Sequence, residues 1–170
     1  MPASTISLEQ AKKDKLFYFV ANVVIYRELD GRCLILKRDL REKVHPGKYG
    51  VVGGKLEWND FDLTKPTRMN GEVIDFESAV ENLLQREALE EAGVTLKDNF
   101  AYINSMVFVR PDGIPVVLVK FAAQYKEGDV KLEKGAFTDY AWVNEIEVEE
   151  YDCIEGIDEE VKRTIELFRK

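Results

Sequence analysis

Residues 86–93, which read Arg-Glu-Ala-Leu-Glu-Glu-Ala-Gly, constrain the fold of this chain more than any other stretch. They lie within residues 78–94, a segment of good helix formers in which Ser78 and Glu81 have the spacing of a capping box. Gly93 can adopt the left-handed backbone conformation that commonly ends a helix. The sequence therefore predicts a helix over residues 78–94.

Three glutamates crowd the end of this predicted helix. Glu87, Glu90 and Glu91 stand at i, i+3 and i+4, so their carboxylates share one sector of the surface and repel one another. The last turn of a helix is also where the macrodipole disfavours negative charge. A divalent cation would offset both costs, and carboxylate oxygens suit Mg²⁺ or Mn²⁺ better than zinc. The alternative is a solvated acidic face in which Arg86 pairs with Glu90.

Length and charge limit the class of protein. A chain of 170 residues with 45% hydrophobic residues predicts a single domain with one core over residues 1–170. The net charge of −8 argues against binding to nucleic acid or to an anionic membrane, because both need a basic face. An anionic substrate would need metal ions to offset the repulsion.

Cysteine use and hydropathy predict a soluble, cytoplasmic protein. Only Cys33 and Cys153 are present, and Cys33 lies in an apolar run where a buried thiol is expected rather than a disulfide. No apolar stretch is long enough to span a bilayer, and residues 1–15 are polar rather than signal-like.

The order of the predicted elements indicates an α+β fold with helices packed on a mixed sheet. The predicted strands cover residues 16–26, 33–37, 51–57, 100–109, 116–125 and 140–143. The first strand is apolar on both alternating faces, which predicts that it is covered on both sides. A terminal helix is predicted with Asp158 as its N-cap and with Val161 and Ile165 on its apolar face.

The segment before the helix carries three further features. His45 is the only histidine, which excludes a histidine-cluster metal site, and we expect it to be a loop residue. Gly53 and Gly54 follow an apolar strand and permit the close approach of a ligand. Residues 58–76 form a turn-rich insertion that is either a surface excursion or a lid.

Residues 53–57 (Gly-Gly-Lys-Leu-Glu) and residues 86–94 together resemble the Nudix box. Its pattern is a glycine, five residues, a glutamate, seven residues, then Arg-Glu-aliphatic-x-Glu-Glu-x-Gly-aliphatic, and the second half matches here at every defined position. Residues 46–49 and 142–143 resemble the lead-in to the box and the last strand of the family. The first half departs from the pattern because the insertion separates Gly54 from the helix. Glu77 is then the nearest candidate for the leading glutamate.

The resemblance implies a Nudix hydrolase with an α/β/α sandwich around a mixed β-sheet. Such an enzyme cleaves a pyrophosphate bond in a nucleoside diphosphate linked to another group, as in a nucleoside triphosphate or a nucleotide sugar. The implied partner is a small nucleotide rather than a nucleic acid. The implied ligands of Mg²⁺ or Mn²⁺ are Glu87, Glu90 and Glu91 with the backbone carbonyl of Gly54. Arg86 would orient neighbouring carboxylates rather than react.

The general base stays open at this point. In this family it can be the glutamate at the position of Glu87 or an acidic residue on a loop near the last strand, and Glu133 and Asp139 are the loop candidates. The candidate substrate contacts are Lys55 and two aromatic residues that could stack on a base, Tyr49 and Trp58. Tyr18 is expected to be buried.

Two other functions are alternatives to pyrophosphate hydrolysis. A Nudix-fold module that senses a nucleotide without chemistry is the first, and the presence of all three helix glutamates favours catalysis over it. An isoprenoid diphosphate isomerase is the second, but it needs a reactive cysteine and several histidines, whereas Cys33 lies in an apolar run and His45 is alone. The nucleotide substrate is not specified, and the oligomeric state is open, with a homodimer among the options.

Overall fold

The computed structural model describes residues 1–9 and 11–169, and within them ten strands, two α-helices and three short 3-10 helices are assigned. The strands are β1 (Tyr18–Arg27), β2 (Arg32–Arg38), β3 (Tyr49–Gly50), β4 (Val52–Lys55), β5 (Arg68–Asn70), β6 (Val73–Asp75), β7 (Thr95–Leu96), β8 (Ala101–Val109), β9 (Pro115–Glu127) and β10 (Phe137–Val143). The helices are α1 (Ala79–Ala92) and α2 (Ile157–Phe168).

Strand β1 lies at the centre of a mixed sheet. It pairs in parallel with β9 along one edge and antiparallel with both β2 and β4 along the other. The strand order is β10, β2, β1, β9, β7, while β3 pairs with β2 and β8 pairs with β9. Strands β5 and β6 form a separate hairpin within the insertion. The predicted mixed sheet is confirmed.

The two helices cover opposite faces of the sheet. Leu84 and Ala88 of α1 pack with Ala21 of β1 in one core, and Val161 of α2 packs with Val24 of β1 in a second core. Each of these five side chains is at most 1% exposed. The predicted α/β/α arrangement, with β1 covered on both sides, is therefore confirmed.

The ends of the helices agree only in part with the caps predicted from the sequence. Gly93 ends α1 as predicted, with a φ of 70° and its N–H donating to the carbonyl of Leu89 at 3.0 Å. The predicted capping box is wrong, because Ser78 has a φ of 56° and its side chain makes no capping hydrogen bond. Helix α2 begins after Gly156, which has a φ of 91°, so Asp158 lies in the first turn rather than at the N-cap.

Both cysteines are free thiols, and Cys33 is buried as predicted. Burial raises the pKa of the Cys33 thiol far above its usual value, so it is unreactive. Within the described part of the chain, no helix is both long and apolar enough to cross a bilayer.

Candidate active site

Helix α1 places two glutamates against the sheet. Leu84 and Ala88 are completely buried, and the helical spacing puts Glu87 and Glu91, each three residues further on, beside them. Both glutamate side chains are consequently half-buried rather than solvated. The repulsion that the sequence predicted therefore acts in a partly desolvated environment.

The paired glycines of β4 allow this close approach. The backbone N–H of Gly53 donates to Oε2 of Glu91 at 3.1 Å. A Cβ atom at Gly54 would overlap the carboxylate of Glu87, so only glycine leaves room for that group beside the strand. The sequence signal of the two glycines thus corresponds to a contact between β4 and the acidic side of α1.

Burial and neighbouring charges favour the protonated form of both carboxyls. Burial is the main cause that raises the pKa of Glu91 to about 8, and the charges of Glu87 and Glu133 add to it. The hydrogen bond from Gly53 and the charge of Arg38 act in the opposite direction. Burial also raises the pKa of Glu87, against the hydrogen bond from Arg86. A cation at this position would offset the free-energy cost of keeping the two partly buried carboxyls ionised.

Glu90 does not join the other two carboxylates. Its side chain is exposed on the outer surface of α1, although its charge still acts on Glu87. In residues 1–9 and 11–169, no group of three or more His, Cys, Asp and Glu side chains converges closely enough to hold a metal ion. The three glutamate carboxylates therefore do not converge in the structure, because Glu91 turns to Gly53 and Glu87 turns to Arg86.

Arg86 links α1 to the start of the insertion. Its Nη1 donates to Oδ1 of Asp60 at 2.7 Å, and its Nη2 donates to Oε1 of Glu87 at 3.3 Å. Partial burial pushes the pKa of Asp60 upward, but the hydrogen bonds from the Glu57 N–H and Arg86 outweigh it and hold the pKa below its usual value. Arg86 therefore lies between two carboxylates and contacts both.

Sequence reasoning missed Asp60. Five residues (55–59) separate Gly54 from position 60, where an aspartate stands in place of the glutamate of the box pattern. The sequence thus contains the spacing of a glycine, five residues and an acidic residue, but the acidic residue is an aspartate rather than the glutamate that the pattern specifies. Glu77, the predicted leading glutamate, is exposed and forms an ion pair with Arg68 of the insertion hairpin at 2.8 Å. The structure therefore brings Asp60, and not Glu77, into contact with Arg86.

The two loop candidates for the general base have different surroundings. Glu133 is exposed, its backbone N–H donates to the carbonyl of Glu91 at 3.1 Å, and its charge acts on both Glu87 and Glu91. Asp139 accepts a hydrogen bond from the hydroxyl of Tyr49 at 2.8 Å. The structure therefore brings Glu133 to the acidic pair and ties Asp139 to the second core.

Of the three predicted substrate contacts, one is buried and two are exposed. Tyr49 is only 8% exposed and packs in the core beneath α2, so it is not available to stack on a base. Burial and the hydrogen bond to Asp139 raise its pKa to about 12. Trp58 is 59% exposed at the start of the insertion, and Lys55 is exposed with its Nζ 5.9 Å from the ring centre of Tyr18. Tyr18 is 46% exposed, contrary to expectation, because it lies at the first position of β1.

The insertion forms one wall of a cavity beside α1. The cavity has a volume of about 360 Å³ and lies between the segments that flank the β5–β6 hairpin and the first half of the helix. Its apolar wall includes Phe61 and Phe76, whose ring centres are 4.9 Å apart, and its polar wall includes Lys65, Asn82 and Arg86. Because Arg86 also contacts Glu87, the cavity adjoins the acidic pair.

Comparison with known proteins identifies the fold and family. The family model described as the NUDIX domain matches residues 18–164. A search of curated proteins found no match.

Several solved structures are similar to this chain. The MutT protein from Methanosarcina mazei Go1 is 20% identical with a TM-score of 0.60, over 94% of this chain and 100% of that one. The NUDIX domain of Shewanella oneidensis NrtR, complexed with ADP ribose, is 14% identical with a TM-score of 0.64, over 94% and 95%. A MutT protein from Bacillus halodurans is 24% identical with a TM-score of 0.57, over 88% and 82%. At these identities the solved structures establish the shared fold.

Proposed function

Because the chain belongs to the Nudix hydrolase family, we propose that it is a metal-dependent enzyme that cleaves a pyrophosphate bond in a nucleoside diphosphate linked to another group. The observation that carries this proposal is the half-buried pair of Glu87 and Glu91 beside Gly53 and Gly54. Two carboxyls with raised pKa values on a rigid helix are costly for the fold, and such sites often mark function.

The donor set fits a hard divalent cation such as Mg²⁺ or Mn²⁺. Carboxylate oxygens of Glu87 and Glu91 and the backbone carbonyl of Gly54 would hold it, with Glu90 reaching in from the exposed side of the helix. All of these donors are oxygens, which suits Mg²⁺ and Mn²⁺ rather than zinc. When bound, the cation supplies positive charge to the pyrophosphate and lowers the pKa of water. It would also offset the repulsion between a substrate anion and a chain of net charge −8.

The other side chains would position the reacting groups. Arg86 fixes the orientation of Glu87 through its hydrogen bond and is itself fixed by Asp60. Glu133 would accept a proton from the attacking water as the new bond to phosphorus forms and the bridging oxygen leaves with the electron pair. Its backbone bond to Glu91 holds the chain of Glu133 at the end of α1. The alternative base is Glu87.

The insertion is proposed to be a lid that contacts the part of the substrate beyond the phosphates. The cavity of about 360 Å³ that it forms with α1 adjoins Arg86 and presents aromatic, cationic and amide groups. Phe61 and Phe76 offer apolar surface to a base or another leaving group, while Lys65 offers charge to a phosphate. Trp58 is exposed at the same end of the insertion.

The experiment that tests the function is a panel of nucleoside triphosphates, nucleotide sugars and dinucleotides incubated with Mg²⁺ or Mn²⁺. Products are identified by mass, with a chelator as the control. We expect cleavage at a pyrophosphate bond for at least one substrate and no cleavage with the chelator. A nucleotide-sensing module would instead bind a member of the panel, measured by calorimetry, and release no product.

A further inference from the structure

The second half of β8 carries apolar side chains that are open to solvent. Residues 101–109 contain no charged residue. Val107 and Val109 are 64% and 68% exposed, and Met106 and Phe108 are 41% and 40% exposed. Consecutive residues of a strand point to opposite faces of the sheet, so this half of β8 is apolar and exposed on both faces. A contiguous surface of this kind marks an interaction site.

The backbone of β8 is also available for pairing. Within residues 1–9 and 11–169, β8 pairs with β9 along one edge and with no strand along the other. Proteins usually block such an edge with lysine, proline or a bulge. The one irregularity in the β8 register lies between Tyr102 and Asn104, before the exposed half. Residues 104–109 therefore present a regular, uncharged edge.

A partly exposed face of the sheet adjoins this edge. The strand registers place Tyr18, Val116 and Phe108 side by side across β1, β9 and β8, and Val20, Leu118 and Met106 in the next row. Lys120, two residues beyond Leu118, faces α2 because it forms an ion pair with Glu160 of that helix. The rows thus lie on the α2 face of the sheet. In the outermost row Tyr18 and Phe108 are 46% and 40% exposed, whereas Val116 between them is only 2% exposed, so the row is open to solvent at Tyr18 and Phe108.

We propose that this β8 surface, defined as residues 104–109 together with Tyr18, binds a second copy of this chain. The two β8 strands would pair antiparallel about a twofold axis, which joins the two sheets into one. In such a pair, residues of the same parity meet on the same face, so Met106 and Phe108 of both copies gather on one face and Val107 and Val109 on the other.

Charge selects the second copy as the occupant. Each chain carries a net charge of −8, so two copies repel wherever their acidic surfaces face each other. The β8 edge is free of charge over nine residues, whereas β10 carries Asp139 and the insertion hairpin carries Arg68 and Asp75. Pairing at β8 brings the copies together without opposing like charges, and it offers nothing to a partner recognised by charge.

The test is the mass of the protein in solution, measured by sedimentation velocity over a range of concentrations. We expect a species of twice the 19.5 kDa chain mass and its loss to monomer in Val107→Lys. The matched control is Val73→Lys, which changes a valine that is 59% exposed on the insertion hairpin and should leave the dimer intact. Monomer at every concentration in the wild type, or an unchanged dimer in Val107→Lys, would overturn the proposal.

A cross-linking measurement covers the case in which Val107→Lys does not fold. In a Cys153→Ser background, Ser105→Cys places a thiol in the middle of the proposed pairing, and Thr138→Cys places one on the distant strand β10. A short bismaleimide should trap dimers of the Ser105→Cys protein and not of the Thr138→Cys protein. Equal trapping of both, or trapping of neither, would show that the β8 strands do not pair.

Discussion

Asp60 Oδ1 accepts a hydrogen bond from Arg86 Nη1 at 2.7 Å across 26 positions of sequence, and this contact joins the start of the insertion to the acidic side of α1. The same carboxylate accepts the backbone N–H of Glu57 at 3.0 Å through its other oxygen. Asp60 is therefore held from two sides. Its position lets an insertion interrupt the family motif while the arginine of that motif keeps an acidic partner.

Replacing Asp60 by Asn should lower turnover, because Arg86 would lose its charged partner and hold Glu87 less firmly. We expect a loss of roughly 10-fold to 100-fold in kcat, the range seen for groups that orient metal ligands. Glu77→Gln is the matched control, since Glu77 pairs with Arg68 away from the acidic pair. Steady-state kinetics with the best substrate of the panel measure both. Equal turnover in the two variants would remove Asp60 from the site.

The stability of the metal-free protein should depend on pH through Glu91. Its pKa rises from 4.5 to about 8 on folding, so the folded protein holds this proton more tightly than the unfolded chain does. That contribution is complete below pH 4.5 and is lost as the pH rises through 8. In chelator at pH 9, Glu91→Gln should therefore be more stable than the wild type by on the order of 2 kcal/mol.

The measurement is urea denaturation of both proteins in chelator at pH 6 and pH 9. The difference between them should widen with pH. Saturating Mg²⁺ should then stabilise the wild type more than the variant, because a ligand specific to the native state adds to its stability. Parallel pH dependence of the two proteins would mean that Glu91 is not the group that loses its proton.

Removing the general base should change the dependence of kcat on pH. Glu133→Gln should lower kcat and flatten the acidic limb, while the affinity for Mg²⁺ stays close to that of the wild type. Asp139→Asn is the matched control, and we expect it to affect folding stability through Tyr49 rather than the pH profile. If Glu133→Gln keeps a normal profile, the role of base passes to Glu87.

Shortening the insertion should change substrate choice. Replacing residues 64–74 with a Gly-Ser bridge removes the β5–β6 hairpin and Lys65 but keeps Asp60 and its bond to Arg86. We expect a higher KM or a broader choice of substrate, with the stabilisation by Mg²⁺ intact because the ligands lie outside the removed segment. A folded variant with unchanged KM and selectivity would show that the insertion is a surface excursion.

The sequence predicted those parts of the site that depend on local spacing. Glu87 and Glu91 follow Leu84 and Ala88 by three residues, so the helical repeat alone placed them beside the core, and Gly93 ended the helix through its own backbone preference. Helical spacing also grouped Glu90 with them, but a difference of one position turns that side chain outward. Helical spacing predicts which side of the helix a residue lies on, but it does not predict where each carboxylate points.

The remaining features depend on contacts between distant segments. The contact between Arg86 and Asp60 depends on how the insertion folds back, and Asp60 stands where the family pattern has a glutamate, so the sequence pattern indicated Glu77 instead. Tyr49 is buried and Tyr18 is exposed, the reverse of what was expected, because Tyr49 packs in the core beneath α2 and Tyr18 lies at the first position of β1. Tertiary packing overrides the strand pattern at these positions.

The proposed metal-dependent hydrolysis at Glu87 and Glu91 is tested most directly by the turnover of Glu91→Gln with Mg²⁺ on the best nucleotide substrate. The matched control is Glu81→Gln, which changes an exposed glutamate in the first turn of the same helix. We expect Glu91→Gln to lose at least roughly 100-fold in kcat/KM and Glu81→Gln to lose less than about twofold. Activity of Glu91→Gln close to that of Glu81→Gln would contradict the assignment of this carboxylate to the reaction.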